Sequence, residues 1–459
     1  MTTGSQTQSK RTQAPRSYSV LRLFLNHPLA PIIMVAGSVL ALIVIGLVMV
    51  YSSSSIVFFV EKGDAASEAI KQAIFAGVGI CGAAAFIYYF DESKLFGGFV
   101  TGFWIACMIG MVLTALMGTV GLGAKRWLFL GPISIQPAEF MKIALVLIAV
   151  SLSMRYVQKE LEGMDFFLRV LLYIALPLLM ILVLQSDMGT TAICFVAIVA
   201  VMWLVGVDGK TILIVFIASA IVGIIAIVSK GYRSDRMIFL DPWSDPNGSG
   251  YQLIHSFLAL GAGGIFGTGI GNSFEKMDYL PEAETDFIFA IIGEEMGLVG
   301  TVGVIFLFLV FLYGSILIAL NAQSRQGAIT AATLAIMLVF QAFLNMACVT
   351  GIMPLTGKPL PFISSGGSSM ISSCLMVGII LSIAFSSQKK SNSQERRDRL
   401  HVVSHVSSAD MPRHVNSGVA PSFREGSRQG SNQGVRGVQT HTRVSVAPQR
   451  SNPRQRRRY

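Results

Sequence analysis

The chain has 459 residues, 53% apolar and only 13% charged, with a mean hydropathy of +0.64. Soluble domains carry about 25% charged residues, so this composition excludes a water-soluble multidomain enzyme. Residues 388–459 hold 15 Lys/Arg and 4 Asp/Glu, a net of +11, whereas residues 1–387 hold the other 20 and 21, a net of −1; the basic balance describes a tail, and no nucleic-acid partner is expected.

About 20 consecutive apolar residues span the roughly 30 Å hydrocarbon layer as a helix. In chain order the sequence predicts ten such stretches, at about 31–51, 70–90, 97–117, 138–154, 168–185, 189–206, 211–229, 287–319, 328–349 and 367–386. The first is too long for a signal-peptide core and should stay as a span. The expected fold is an all-α polytopic membrane protein of ten transmembrane helices, with a large extracytoplasmic loop between helices 7 and 8. Three regions follow: residues 1–29 as a cytoplasmic N-terminal segment, 30–386 as the membrane core, and 387–459 as a basic cytoplasmic tail of disordered composition. Five cysteines (Cys81, Cys107, Cys194, Cys348, Cys374) lie in apolar runs without metal-ligand spacing and read as packing residues.

Lys and Arg favour cytoplasmic connections. With the N-terminus inside, the inner side receives 25 of them and the outer side eight, with Lys71 and Lys142 at or within spans. Both termini are therefore expected in the cytoplasm.

The chemistry is expected on the outer side. The connection from about residue 230 to 285 is long, and loops beyond about 15 residues without structure of their own are usually functional. Within it, residues 251–270 are apolar and Gly-rich, which suggests a short helix and a re-entrant segment. Two further outer loops span residues 123–139 and 356–369. Together the three loops supply Lys125, Arg126, Arg233, Arg236 and Lys358, with Asp278, Glu282 and Asp286. They could form exposed loop salt bridges, each worth at most about 1 kcal/mol. As a set of cations placed against the topological bias, they fit an anionic substrate such as a lipid-linked pyrophosphate.

Asp286 opens the eighth stretch, where polar loops meet an apolar wall. Partial desolvation there would raise its pKa towards that of a useful general base. Thr285 or Asp286 could equally cap the helix. From Asp286 to Leu320 a straight helix would measure about 51 Å at 1.5 Å per residue, so the run must tilt, project or break near Gly293, Gly297 or Gly300. Charges inside spans are costly. Glu139 and Lys142, three apart, can pair. With Asp187, Glu294 and Glu295 they read as a polar network clamping the bundle around the site.

At these motifs the chain resembles the SEDS family (shape, elongation, division and sporulation), membrane glycosyltransferases of bacterial wall synthesis. The supporting strings are GAKRWLFLGPISIQPAEFMK, QSDMGT, FLDPWSDPNGSGYQLIHSFLALGAGGIFGTGIGNS, YLPEAETDFIFAIIGEEMGLVG and GKPLPFISSGGSS. DPWSDP, GIGNS before YLPE, and IIGEE look more like the division member than the elongation member. The resemblance implies polymerisation of lipid II, an undecaprenyl-pyrophosphate-linked disaccharide peptide, at the outer leaflet of the septal membrane. It also implies a class B penicillin-binding transpeptidase and other division proteins as partners. The essential aspartate of the family's TDF motif matches Asp286. Its GxxRW motif matches Arg126 and Trp127, and the Lys before PLPFIS matches Lys358. A divalent cation, Mg or Mn, could accompany the pyrophosphate, and no organic cofactor is expected. An elongation polymerase and a lipid II flippase are the alternatives. This sequence has Glu284 where the family commonly has His, and Ala138, Ser186 and Ser365 where it usually has Ser, Pro and Tyr.

Overall fold

Each long apolar stretch becomes a helix, because a backbone surrounded by hydrocarbon must satisfy its own hydrogen bonds. The structure, a computed structural model, describes residues 27, 29–90, 92–121, 124–130, 133–217 and 238–409. Among them nine helices are long and apolar enough to cross a membrane. In chain order these are α1 (Ala30–Lys62), α2 (Ser67–Tyr89), α3 (Gly98–Met117), α4 (Pro137–Val157), α5 (Gly163–Leu184) and α6 (Met188–Val205), then, after the shorter α7 (Tyr251–Gly263), α8 (Ile288–Leu320), α9 (Arg325–Val349) and α10 (Gly367–Ala409). The chain is a multi-pass membrane protein. The stretch predicted at 211–229 is helical over 209–217 and then enters residues 218–237, which lie outside the described residues. The tail departs from the expected disorder at its start: α10 carries its apolar part over Gly367–Gln388 and continues as helix to Ala409.

Burial sorts the helices. α4, α9 and α10 are mostly buried and form the centre, while α2, α3 and α5 leave most of their apolar surface outward. All five cysteines are free. α5 is irregular, with π-helical turns over Leu171–Ala175 and Met180–Leu184 on either side of Pro177, whose missing N–H interrupts the regular ladder.

Two departures from straight helices shape one end of the bundle. The connection between α3 and α4 is not an open loop but a small antiparallel sheet, the exception to the all-α expectation: β1 (Thr119–Gly121), β2 (Ala124–Leu130) and β3 (Ile133–Ile135), in the order β1-β2-β3. Thr119 pairs with Trp127 across β1 and β2, and Leu128 with Ile135 across β2 and β3. α8 breaks at Gly297, where φ is 67° and ψ −161°, a conformation that only glycine adopts cheaply. The loop between α9 and α10 dips onto α1 at Gly46, where a Cβ would lie 2.6 Å from the Phe362 carbonyl oxygen.

Candidate active site

β2 delivers Arg126 to the end of α5. Its Nε donates to the Gln185 carbonyl (2.9 Å) and its Nη2 to the Ser186 carbonyl (2.8 Å), groups just past a helix end that lack intrahelical donors. Ser186 turns the chain with a φ of 49°. Asp187 then caps α6, accepting from the Thr190 backbone N–H (3.0 Å) and hydroxyl (2.9 Å). Lys358 arrives from the α9–α10 loop and places its Nζ 2.6 Å from Asp187 Oδ2. Gly189 makes room for it, since a Cβ there would lie 2.6 Å from Lys358 Cγ. Burial alone would raise the Asp187 carboxyl. Lys358, the Thr190 N–H and Arg126 outweigh it and hold the group below its ordinary range.

Asp286 is fixed through its backbone. Asn345 Nδ2 donates both to the Asp286 carbonyl (2.8 Å) and to the Lys358 carbonyl (2.9 Å), tying the two loops together. Ser364 Oγ donates to the Thr285 carbonyl (2.6 Å), and the Ser365 N–H to the Glu284 carbonyl (2.9 Å). The Asp286 carboxylate is half-buried and makes no hydrogen bond or ion pair among the described residues. Gly357 lies beside it, at φ 63°. Desolvation, joined by the Glu282 carboxylate, pushes its pKa up to about 6 against the opposing pull of Lys358 and Arg126. Such a group is ionised at neutral pH and still basic enough to take a proton.

The helix-cap alternative is corrected. α8 starts at Ile288 with Phe287 in the cap position and no side-chain cap, so neither Thr285 nor Asp286 caps it; Thr285 Oγ1 instead donates to Glu282 Oε2 (2.7 Å). Lys358 is 3% exposed and paired with Asp187, because an ammonium withdrawn from water needs a close counter-charge.

The remaining candidates divide. Arg126 is half-buried and uses two of its N–H donors, leaving others for a ligand. Trp127 follows it in the strand and so projects from the opposite face. Glu282 and Asp278 are exposed with positive φ (58° and 66°), and of the two Glu282 is the one that acts on Asp286. Arg233 lies outside the described residues. Glu139 and Lys142 pair at 2.8 Å behind the site, and Lys142 donates to Gln341 Oε1 (2.7 Å). Gln341 Nε2 in turn donates to the Pro359 carbonyl (3.1 Å). Glu294 and Glu295 sit elsewhere, at the break in α8.

Sequence reading missed Gln136, whose Nε2 reaches Asp187 (3.2 Å), and also Gln341 and Asn345. The signal was there: Gln341 and Asn345 are four apart in an apolar span and share one helix face. Among the described residues no group of three or more His, Cys, Asp or Glu side chains converges.

Helices closing around a half-buried carboxylate with an arginine nearby define a polytopic membrane protein with a polar site at one end of its bundle. Residues 33–389 match the cell cycle protein family FtsW/RodA/SpoVE. The chain belongs to that family, the SEDS proteins. It is 37% identical over 361 residues to the probable peptidoglycan glycosyltransferase FtsW of Coxiella burnetii, covering 76% of this chain and 95% of the relative. It is 36% identical over 361 residues to stage V sporulation protein E of Bacillus subtilis, covering 75% and 94%. Among solved structures, a chain from a peptidoglycan synthase complex that coordinates polymerization and crosslinking superposes with a TM-score of 0.62 at 26% identity, covering 77% of this chain and 97% of that one. The rod shape determining protein RodA of Thermus thermophilus shares the fold, with a TM-score of 0.55 at 24% identity and the same coverage.

Proposed function

We propose that this protein is an inverting peptidoglycan glycosyltransferase that polymerises lipid II at the outer face of the cytoplasmic membrane, in septal wall synthesis during division. The observation that carries the reading is the Asp286 carboxylate: half-buried, without a hydrogen bond or ion pair among the described residues, raised to about 6, and within the electrostatic reach of Arg126. The names of the FtsW relatives support the substrate class and the role in division. Both termini are assigned to the cytoplasm by the charge bias, with residues 30–386 as the catalytic core.

The donor sugar is α-linked to pyrophosphate and the product bond is β, so one displacement inverts the centre. Asp286 takes the proton of the acceptor's 4-hydroxyl as its oxygen attacks the donor's anomeric carbon. The bond to the undecaprenyl pyrophosphate breaks, and the unused N–H groups of Arg126 stabilise the charge that develops there. Lys358 serves at one remove. It holds Asp187, which caps the helix beside the carbonyls on which Arg126 rests. A class B penicillin-binding transpeptidase is the proposed partner, in keeping with the coupling of polymerization and crosslinking in the complex of similar fold.

The test supplies lipid II and the transpeptidase to purified wild type and Asp286→Ala. Glycan strands from wild type alone are expected. Lipid transfer across vesicles without strands under any condition would replace this reading with a flippase.

A further inference from the structure

At the break in α8 the segment after α7 turns back into the bundle and completes the interrupted helix. The Thr268 and Gly269 N–H groups donate to the Glu294 carbonyl (2.9 Å) and the Glu295 carbonyl (3.0 Å), which precede the break. Beyond it, the Leu298 and Val299 N–H groups donate to the Gly264 carbonyl (2.9 Å) and the Ile265 carbonyl (3.2 Å). Four backbone groups that a broken helix would leave bare are thus satisfied by one loop. The fit admits no side chain on either partner: a Cβ on Gly297 would lie 2.4 Å from the Gly267 nitrogen, and one on Gly267 would lie 2.1 Å from the Glu295 oxygen.

Side chains lock the same junction. Lys276, 3% exposed, donates from Nζ to Glu295 Oε1 (2.7 Å) and to Ser52 Oγ of α1 (3.0 Å). Ser52 Oγ bonds both Glu295 oxygens, at 2.7 and 2.8 Å. Glu294 accepts from the Phe274 N–H (2.7 Å) and from the Ser273 hydroxyl. Residues 288–296 therefore form a short rod of about 14 Å. Asn345, Ser364 and Ser365 hold the backbone just ahead of it, where Asp286 lies, and this cluster holds its far end.

We infer that Lys276 is a positioning residue for Asp286, acting through Glu295 and the rigid segment 288–296 rather than touching substrate. A buried carboxylate pair served by a single lysine and two serines fixes the angle at which the rod leaves the break. A small rotation there displaces Asp286 at the other end, and misplacement by about 1 Å is enough to cost on the order of a hundredfold in rate. The inference rests on Asp286 as the base of the proposed glycosyl transfer.

The experiment measures strand synthesis by the full chain with its transpeptidase at varied lipid II concentration. The variants are Lys276→Met, Lys276→Arg, Ser52→Ala and the double variant Lys276→Met/Glu295→Gln. Wild type must make strands and Asp286→Asn must be slower by at least about 10²; if either fails, the proposed function falls before this inference is reached. Lys276→Met is expected to lose at least about tenfold in kcat with KM within about twofold, and Lys276→Arg to recover part of it. Ser52→Ala, which keeps both charges, is expected to lose about threefold in kcat alone. The double variant removes both charges, so its thermal midpoint in detergent should return towards wild type while kcat stays low. Wild-type kcat in the double variant would overturn the inference, since it would mean that Lys276 only neutralises Glu295. Wild-type kcat in Ser52→Ala together with an unfolded Lys276→Met would overturn it as well.

Discussion

Two buried lysines invite comparison. Lys358 and Lys276 both come from loops, both are 3% exposed, and both lie within 2.7 Å of a carboxylate oxygen. Lys358 meets Asp187 at the start of a helix, where the carboxylate also serves as cap. Lys276 meets Glu295 in the middle of a helix that has been interrupted to receive it. The first lysine supports the surroundings of the site and the second the helix that follows Asp286. Similar electrostatics thus serve two different mechanical ends.

The largest effect separating these regions from the base itself is expected at Asp286. Replacement by Asn should lower the initial rate of strand formation by about 10² to 10⁴, the contribution of a general base. The same change should stabilise the fold at pH 7. The folded pKa is raised, so the group's contribution to stability is full below the ordinary carboxylate value and lost as pH rises through about 6. Relief of that penalty should be about 1–2 kcal/mol once partial exposure is discounted, visible as a higher thermal midpoint that fades below pH 4. In wild type the rate should fall about tenfold per pH unit below about 6, and a flat acid limb would remove Asp286 from the role of base.

Next come the lysines. Lys358→Met leaves Asp187 buried without its cation and should cost about 3–5 kcal/mol of stability, read from unfolding in detergent. Adding Asp187→Asn should recover most of that cost. Asp187 titrates in the opposite sense to Asp286: its folded pKa is lowered, so its stabilisation is present above the ordinary carboxylate value and lost as pH falls through its depressed one. Gly297→Ala should be comparably severe, because neither the φ of 67° nor the space tolerates a methyl group, and the measurement is the yield of monodisperse protein. The smallest effect on chemistry is expected from deleting residues 390–459. Synthesis in vitro should remain while septal localisation weakens, and lost synthesis by a folded core would tie the tail to catalysis.

The two lysines also mark how far the sequence was legible. Lys358 stands in a compact motif and was singled out, as were Asp286, Arg126 and Asp187. Lys276 lies between Phe274 and Tyr279 in a loop without periodicity, so nothing local predicted that it would turn inward. Spans were readable because hydrocarbon demands helices of a known length. For the long α8 run the sequence leaves tilt, projection or a break at one of three glycines open, and packing against Gly267 selects a break at Gly297. What pattern could not supply was the pairing of distant loops, such as Asn345 bridging residues 286 and 358, because each bond depends on helices already assembled. The sheet over 119–135 falls largely where the sequence reads as an outer loop, and its strands of three, seven and three residues are too short to announce their pairing.

The dip of the α9–α10 loop onto Gly46 bears on how the protein is made. A chain is synthesised from its N-terminus, so α1 with its bare glycine is in place some 300 residues before Phe362 and Ile363 arrive to cover it. Asp286 likewise waits for Asn345, Ser364 and Ser365. A nascent chain halted after α8 would hold the base and lack the residues that fix it. With Asp286 as the proposed base, such a chain would be inactive, and activity would begin only when the last spans have entered the bundle.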